Sequence, residues 1–438
     1  MRKFHKIGLA VPETFLPREG IDLNRWSVIA CDQFTSQPEY WEKVRNIVGD
    51  SPSTYNLILP EVYLGKPEEA KRLQTVNRNM QQYLNQGILQ PYEGMIYLER
   101  TVAGRTRRGL LVCLDLEEYD FNKGSCSLIR ATEGTIIDRL PPRIKIRENA
   151  SLELPHILVL IDDPEDLVIG AAEKNKADLS QLYDFDLMLG SGHLSGWLVD
   201  NYPVEQEIAA GLTHLADPQV FQEKYVLPSR QDVLLYAMGD GNHSLATAKA
   251  IWDKVKASVG MDHPSRYALV ELENVHDSGL DFAPIHRILF GITVNLVERL
   301  NNTFTCKIKI SAVKDAQEMK RLVIRSTAAV QRIGLVDQSG FQVIELAEPP
   351  LNLPVGNLQN FLDALLKEGG PECIDYVHGE ETVFNLGRKP GNAGFYLPCM
   401  HKGELFKTVI LDGALPRKTF SMGEAIEKRF YLEARKIK

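Results

Sequence analysis

At 438 residues the chain exceeds the roughly 250–300 residues at which a single hydrophobic core stops growing, so at least two packed parts are expected. Hydrophobic residues make up 44% and charged residues 25%, and no apolar run approaches the ~20 residues of a membrane span, which excludes a helical membrane protein. The formal charge of −8 is spread along the chain and argues against a general nucleic-acid binder.

The N-terminal apolar run is broken by Pro12 and Pro17 and has no small-residue cleavage site, so it reads as a cytoplasmic start. The cysteines Cys31, Cys113, Cys126, Cys306, Cys373 and Cys399 show no close pair, which suits a reducing compartment and gives neither a zinc ribbon nor a disulfide framework. Leu73, Val76, Met80 and Tyr83 fall at helical spacing and predict a helix over 68–86, ended by Gly87. Residues 95–100 and 109–116 flank a polar turn and predict a hairpin. The run 156–163 reads as a buried strand closed by Asp162 and Asp163. The stretch 190–197, GSGHLSGW, reads as a loop, without the GxSxG of a serine hydrolase. Residues 256–266 read as a surface loop. Residues 334–346 predict a second hairpin around Ser339 and Gly340, and Leu358, Phe361, Leu362 and Leu365 mark a helix stopped by Gly369 and Gly370. The fold class expected is α+β (mixed α/β), with one lobe over 1–292 and a C-terminal α+β lobe over 293–438 that completes the site.

The stretch AMGDGNHSLATAKAIW, 237–252, carries the densest chemistry. Val233 to Met238 reads as a buried strand, and Leu245, Ala248, Trp252 and Val255 form one face of a helix. Gly239 and Gly241 between them permit positive φ and a close backbone approach, while Asp240, Asn242 or Ser244 is placed to cap the helix. Free N–H groups and the positive end of the helix dipole suit an anion, most often phosphate. The turn is neither a Walker loop nor a full GxGxxG, and an ordinary strand-to-helix turn is the alternative.

Asp240-Gly241-Asn242-His243-Ser244 resembles the Asp-Gly-His-His-Arg signature of the domain of unknown function 1015 family. Further segments resemble that family in the same order: 51–64 (SPSTYNLILPEVYL), 130–140 (RATEGTIIDRL), 278–289 (SGLDFAPIHRIL), 374–379 (IDYVHG) and 415–435. The family's helix mouth is similar to that of ParB/sulfiredoxin-like proteins, where it holds nucleotide phosphates, and to the free-serine kinases of that superfamily. The resemblance therefore implies a ParB/sulfiredoxin-like nucleotide-binding core. This chain departs from the signature with Asn242 for a histidine and Ser244 for the arginine, so a cationic phosphate ligand is missing. Arg287 and Lys418 are candidates to replace it.

Phosphoryl transfer needs cations at the phosphates, metal ligands and a carboxylate that orients the attacking hydroxyl. In this scheme Glu133 is the general base, Asp240 takes a proton or ligates Mg²⁺, and His243 contacts phosphate or acts as an acid. Gly239, Gly241, Asn242 and Ser244 cradle the nucleotide, joined by Arg139, His286 and Arg287. Arg130, Lys418 and Thr419 hold the substrate, and Asp162 shares the metal with Asp240. The cofactor expected is ATP or ADP with Mg, and the partners are that nucleotide and a small hydroxylated metabolite such as serine, with no membrane and no nucleic acid. The alternative is a nucleotide-gated regulatory or ParB-like binding protein without turnover.

Overall fold

The structure is a computed structural model that describes residues 1–122, 124–137, 140–227 and 229–438. Arg139, assigned to the nucleotide above, lies outside the described residues. The chain forms two units, Met1–Leu280 with Gly423–Lys438, and Asp281–Met422. The expected boundary at 292/293 thus falls inside the second unit, and the last stretch of the expected C-terminal lobe belongs with the first.

The first unit is built on one mixed sheet. Its main path runs, in spatial order, Ser180–Asp186, His193–Val199, Met95–Val102, Arg105–Asp115, Tyr267–Asn274, Leu158–Ile161, Tyr236–Asp240, Ile129–Arg130 and Tyr119–Asp120. Strands are antiparallel as far as Tyr267–Asn274, to which Leu158–Ile161 is parallel. Tyr236–Asp240 is then antiparallel to Leu158–Ile161 and parallel to Ile129–Arg130. Both faces are covered, which explains the continuous apolar runs in these strands. Met95 and Tyr97 pack with Val159, Met238, Leu245 and Trp252 on one face, while Ile96 and Leu98 pack with Trp26, Trp41, Met80 and Tyr431 on the other. Successive residues of a strand point to opposite faces, so one hairpin feeds two cores.

The helix expected at 68–86 spans Glu69–Asn85 and buries Leu73, Val76, Met80 and Tyr83. The hairpin at 95–116 is present as an antiparallel pair with Val102 opposite Arg105. The stretch 190–197 is a correction: His193–Val199 is a strand paired on both sides. Gly190 and Gly192 hold positive φ just before it, and these glycines and Ser195 hide the strand pattern. The expected loop at 256–266 is also corrected in part, because the helix Asn242–Val259 runs into it.

Segment Gly423–Lys438 is woven into the first unit. Phe430–Tyr431 pairs with Val28–Ile29, and Arg435–Lys436 pairs with Leu152–Glu153. It also brings buried charge. Arg429 is paired with Glu271, and with Glu433 at 2.6 Å; Tyr183 donates its hydroxyl to Glu433 at 2.7 Å. Arg107 lies 2.6 Å from Glu273 and 3.6 Å from Glu271. Burial pushes the Glu273 carboxyl well above its usual range, whereas Arg429 and Arg107 hold Glu271 below it against the same burial.

The second unit carries a six-stranded antiparallel sheet in the order Lys307–Val313, Gly340–Ala347, Val330–Asp337, Ala393–Tyr396, His286–Phe290, Cys373–Val377. The hairpin expected around Ser339 and Gly340 joins two of these strands. The helix Pro354–Lys367 buries Leu358, Phe361, Leu362 and Leu365. Gly369, at φ +75°, follows its end.

Candidate functional site: the mouth of the helix Asn242–Val259

The strand Tyr236–Asp240 delivers the chain directly into the helix Asn242–Val259. Leu245, Ala246, Ala248 and Trp252 are buried and fix the helix on the sheet, each large apolar side chain contributing roughly 1.5–3 kcal/mol. Two irregularities shape the mouth. Leu158 pairs with Asp240 and Val159 with Met238, so Gly239 is the extra residue of a bulge. Gly241 then occupies the N-cap at φ +79°. An added Cβ there meets the Ile157 backbone at 3.1 Å, so both conformation and space demand glycine. Gly239 is within the strand and is not among the positive-φ glycines. No side chain caps the helix, which corrects the expectation for Asp240, Asn242 and Ser244; Ser244 N–H is taken by Gly241 O at 2.9 Å, and the positive end of the helix dipole faces the mouth.

Asp240 turns back on its own turn. One carboxylate oxygen accepts Gly241 N–H at 2.9 Å, and the other lies 3.2 Å from Lys428 Nζ. Lys428 is a cation that the sequence reading did not assign, although it lies in the quoted segment 415–435. The Asn242 Oδ1 atom is buried without a hydrogen-bond partner.

The segment expected to carry the general base does reach this mouth. Ile129–Arg130 is parallel to Tyr236–Ala237, and Thr132 Oγ1 donates to Met238 O at 2.7 Å. The half-buried Glu133 follows Thr132 directly in this segment. Ile136 N–H donates to His243 Nε2 at 3.4 Å, so the same segment folds over the first helical turn. Glu133, Asp240, Gly241, Asn242, His243 and Ser244 are thereby gathered in one place.

Other assigned residues lie elsewhere. Arg130 is buried at 7% exposure, its guanidinium donating to Ser127 O, Asp232 O and Val233 O; it straps two backbone segments together. Asp162 is four residues beyond Leu158, which pairs with Asp240, and at 3.2–3.4 Å per residue that separates the two aspartates by roughly 13 Å. They cannot share one ion, and this corrects the expected metal pair. Asp162 instead receives Tyr225 OH and His276 Nε2, each at 2.6 Å, and Lys224 Nζ at 2.8 Å.

His286, Arg287, Lys418 and Thr419 belong to the second unit. His286 accepts Leu397 N–H at 3.1 Å and stacks on Tyr396, and burial lowers its imidazole to about 4. Arg287 is fully buried, donating to Gln359 Oε1, Ile285 O and Arg417 O. Lys418 is exposed with φ +59°, and Thr419 Oγ1 donates to Pro416 O at 2.6 Å.

Sequence reasoning missed the polar chain beside the mouth. His156 opens the strand run 156–163, and the pairing of Leu158 with Asp240 sets it level with the first turn of the helix. Tyr431 donates its hydroxyl to Cys31 Sγ at 3.1 Å and accepts Cys31 N–H at 3.2 Å. The Tyr431 hydroxyl also lies 2.8 Å from His156 Nδ1. His156 Nε2 is in turn hydrogen-bonded to the Ser244 hydroxyl at 2.7 Å, the neutral ring donating through one nitrogen and accepting through the other. Burial lowers His156, raises the Tyr431 hydroxyl well above its usual value and lifts the Cys31 thiol to about 12, so the chain is uncharged near neutral pH. His156, Ser244, Tyr431 and Cys31 line a cavity of about 140 Å³, with Arg143 and Glu61 paired at its wall.

Fold and site define a mixed α/β protein whose sheet feeds an uncapped helix mouth across a bulge and a left-handed glycine. The chain belongs to the family described as Protein of unknown function (DUF1015), whose model matches residues 15–365. Among solved structures it is similar to a free serine kinase in complex with AMP, at 13% identity and TM-score 0.38, covering 75% of this chain and 91% of that chain. It is similar also to a conserved hypothetical protein from Pyrococcus furiosus (12%, TM-score 0.34, 74% and 90%) and to C-terminally truncated SbnI from Staphylococcus aureus (11%, TM-score 0.32, 74% and 82%). At these values the likenesses carry no inference about activity. No curated protein matches the chain. Among the described residues no helix is long and apolar enough to cross a membrane.

Proposed function

We propose that the protein is a nucleotide-dependent phosphoryl-transfer enzyme acting on a small hydroxylated metabolite such as serine, on a core of the ParB/sulfiredoxin-like kind. The observation that carries this reading is the helix mouth: the positive end of the helix dipole behind a left-handed Gly241, with His243, Asp240 and Lys428 converging on it. Lys428 supplies the charge that Ser244 no longer provides in the arginine's place. Glu133 orients the acceptor hydroxyl and takes its proton. Asp240 offers a single carboxylate, which suits a Mg²⁺ that arrives with the phosphates of ATP or ADP and keeps most of its other ligands as water. The unpartnered Asn242 Oδ1 accepts a donor from the bound nucleotide.

The test is thermal stabilisation of the purified chain by ATP, ADP and AMP with and without Mg²⁺, repeated on His243→Ala and Lys428→Ala. A Mg²⁺-dependent rise in Tm with a nucleotide, reduced in both variants, is expected, followed by turnover with serine-like acceptors. Binding without turnover would favour the regulatory alternative, and no rise with any nucleotide would overturn the reading.

A further inference from the structure

We propose that Ser244 is a covalent relay: it accepts the phosphoryl group from the bound nucleotide and passes it to an acceptor seated in the cavity beside it. This rests on the nucleotide reading above and adds to it a nucleophile, its base and an acceptor class. Three observations converge on Ser244. Its hydroxyl is hydrogen-bonded to His156 Nε2 at 2.7 Å, the geometry of a nucleophile with its general base. The other ring nitrogen is hydrogen-bonded to the Tyr431 hydroxyl, which also contacts Cys31 Sγ, so the orientation of the base is held from behind. Ser244 also lines the 140 Å³ cavity while sitting in the first turn of the helix, so a group moving from the mouth into the cavity meets its oxygen.

The cavity describes the acceptor. Leu57, Val76 and Met80 make an apolar wall, with Arg143 and Ser244 at its polar side. Cavities of about 150 Å³ hold a benzene-sized group, so the site suits a compact hydroxyl compound with a short apolar portion.

The chemistry closes in two steps. In the first, Ser244 Oγ bonds to the terminal phosphorus of a nucleoside triphosphate. The bridging P–O bond breaks, the diphosphate leaves with the electron pair, and the Ser244 proton passes to His156 Nε2. In the second, the acceptor oxygen bonds to that phosphorus and the Oγ–P bond breaks. His156 returns its proton to Oγ, and the acceptor's proton leaves to water. Burial keeps His156 neutral before the first step, as a base requires.

The experiment is a quench of the full chain with ATP and Mg²⁺ in the absence of acceptor, read by intact mass and peptide mapping, with ATP binding measured calorimetrically on the same sample. A phosphoryl increment on Ser244 is expected. It is absent in Ser244→Ala and at least tenfold slower to form in His156→Gln, with circular dichroism confirming that both variants fold. Tyr431→Phe tests positioning: it shifts the pH profile of phosphoenzyme formation without removing the modification. ATP binding with no phosphate on Ser244 at any quench time would overturn the relay and leave the nucleotide reading standing. Absence of ATP binding would overturn the relay, and absence of binding by ATP, ADP and AMP alike would overturn both.

Discussion

Two buried polar systems of the first unit differ in what holds them. The arginine–glutamate lattice of Arg107, Glu271, Arg429 and Glu433 is held by charge, with the Glu273 carboxyl beside it pushed towards its neutral form, and all five are at most 7% exposed. The chain Cys31–Tyr431–His156–Ser244 is uncharged, is held by its hydrogen bonds, and ends on a cavity. Buried charges locked against each other resist any change of protonation, because each move would strand a partner in a medium of low dielectric. A neutral hydrogen-bonded chain can move a proton and return it. The lattice therefore reads as structure and the chain as chemistry.

The largest effect should come from breaking the lattice. Arg429→Met strands Glu271 and Glu433, and denaturant unfolding should show a loss of about 3–5 kcal/mol. Ser244→Ala, which removes one neutral hydrogen bond, should cost no more than about 1.5 kcal/mol. Equal losses would make the two systems alike and end the distinction.

The second unit supplies a closed counterpart to His156. His286 has the same burial-lowered imidazole, about 4, but Leu397 N–H and the Tyr396 ring occupy it. Its folded value lies below the unfolded one, near 6.5, so the unfolded chain binds more protons between them. Its contribution is fully present above about pH 6.5 and is lost as pH falls towards 4, of the order of 3 kcal/mol. Unfolding of wild type and His286→Leu at pH 5 and 7.5 should show a smaller pH difference in the variant; the same difference in both would exclude His286 as its source.

At the mouth, Gly241→Ala forces a left-handed alanine against Ile157, and a loss of about 1–2 kcal/mol is expected. A neutral result would mean that the turn relaxes freely. The smallest effect on stability is expected for Lys428→Ala, within about 1 kcal/mol. Its nucleotide affinity should nonetheless fall about tenfold, or ~1.4 kcal/mol. Calorimetric titration separates the two quantities, and an unchanged affinity would remove Lys428 from the site.

Much of the frame could be read from the chain because its signals are local. Helical spacing placed Glu69–Asn85, two apolar runs flanking a polar turn placed the hairpin Met95–Asp115, and a strand running into glycines located the helix mouth. What stayed hidden depends on pairing between distant segments. Lys428 reaches Asp240 and Tyr431 reaches His156 because the closing segment returns to the first unit, and spacing carries no record of that. Asp162 looked like a companion of Asp240 because both end strands. Antiparallel pairing puts them at opposite ends of the same ladder.

The return of Gly423–Lys438 has a consequence for the order in which the molecule is made. A chain emerging from the ribosome exposes Asp281–Met422 before the segment that carries Lys428, Arg429, Tyr431 and Glu433. The first unit must therefore wait, with Glu271 short of Arg429 and His156 short of Tyr431, until that segment has emerged, while domains ordinarily mature in the order they appear. A chain cut before Gly423 has neither Arg429 for Glu271 nor Tyr431 for His156, so the second unit must be traversed before the site of the first can be assembled.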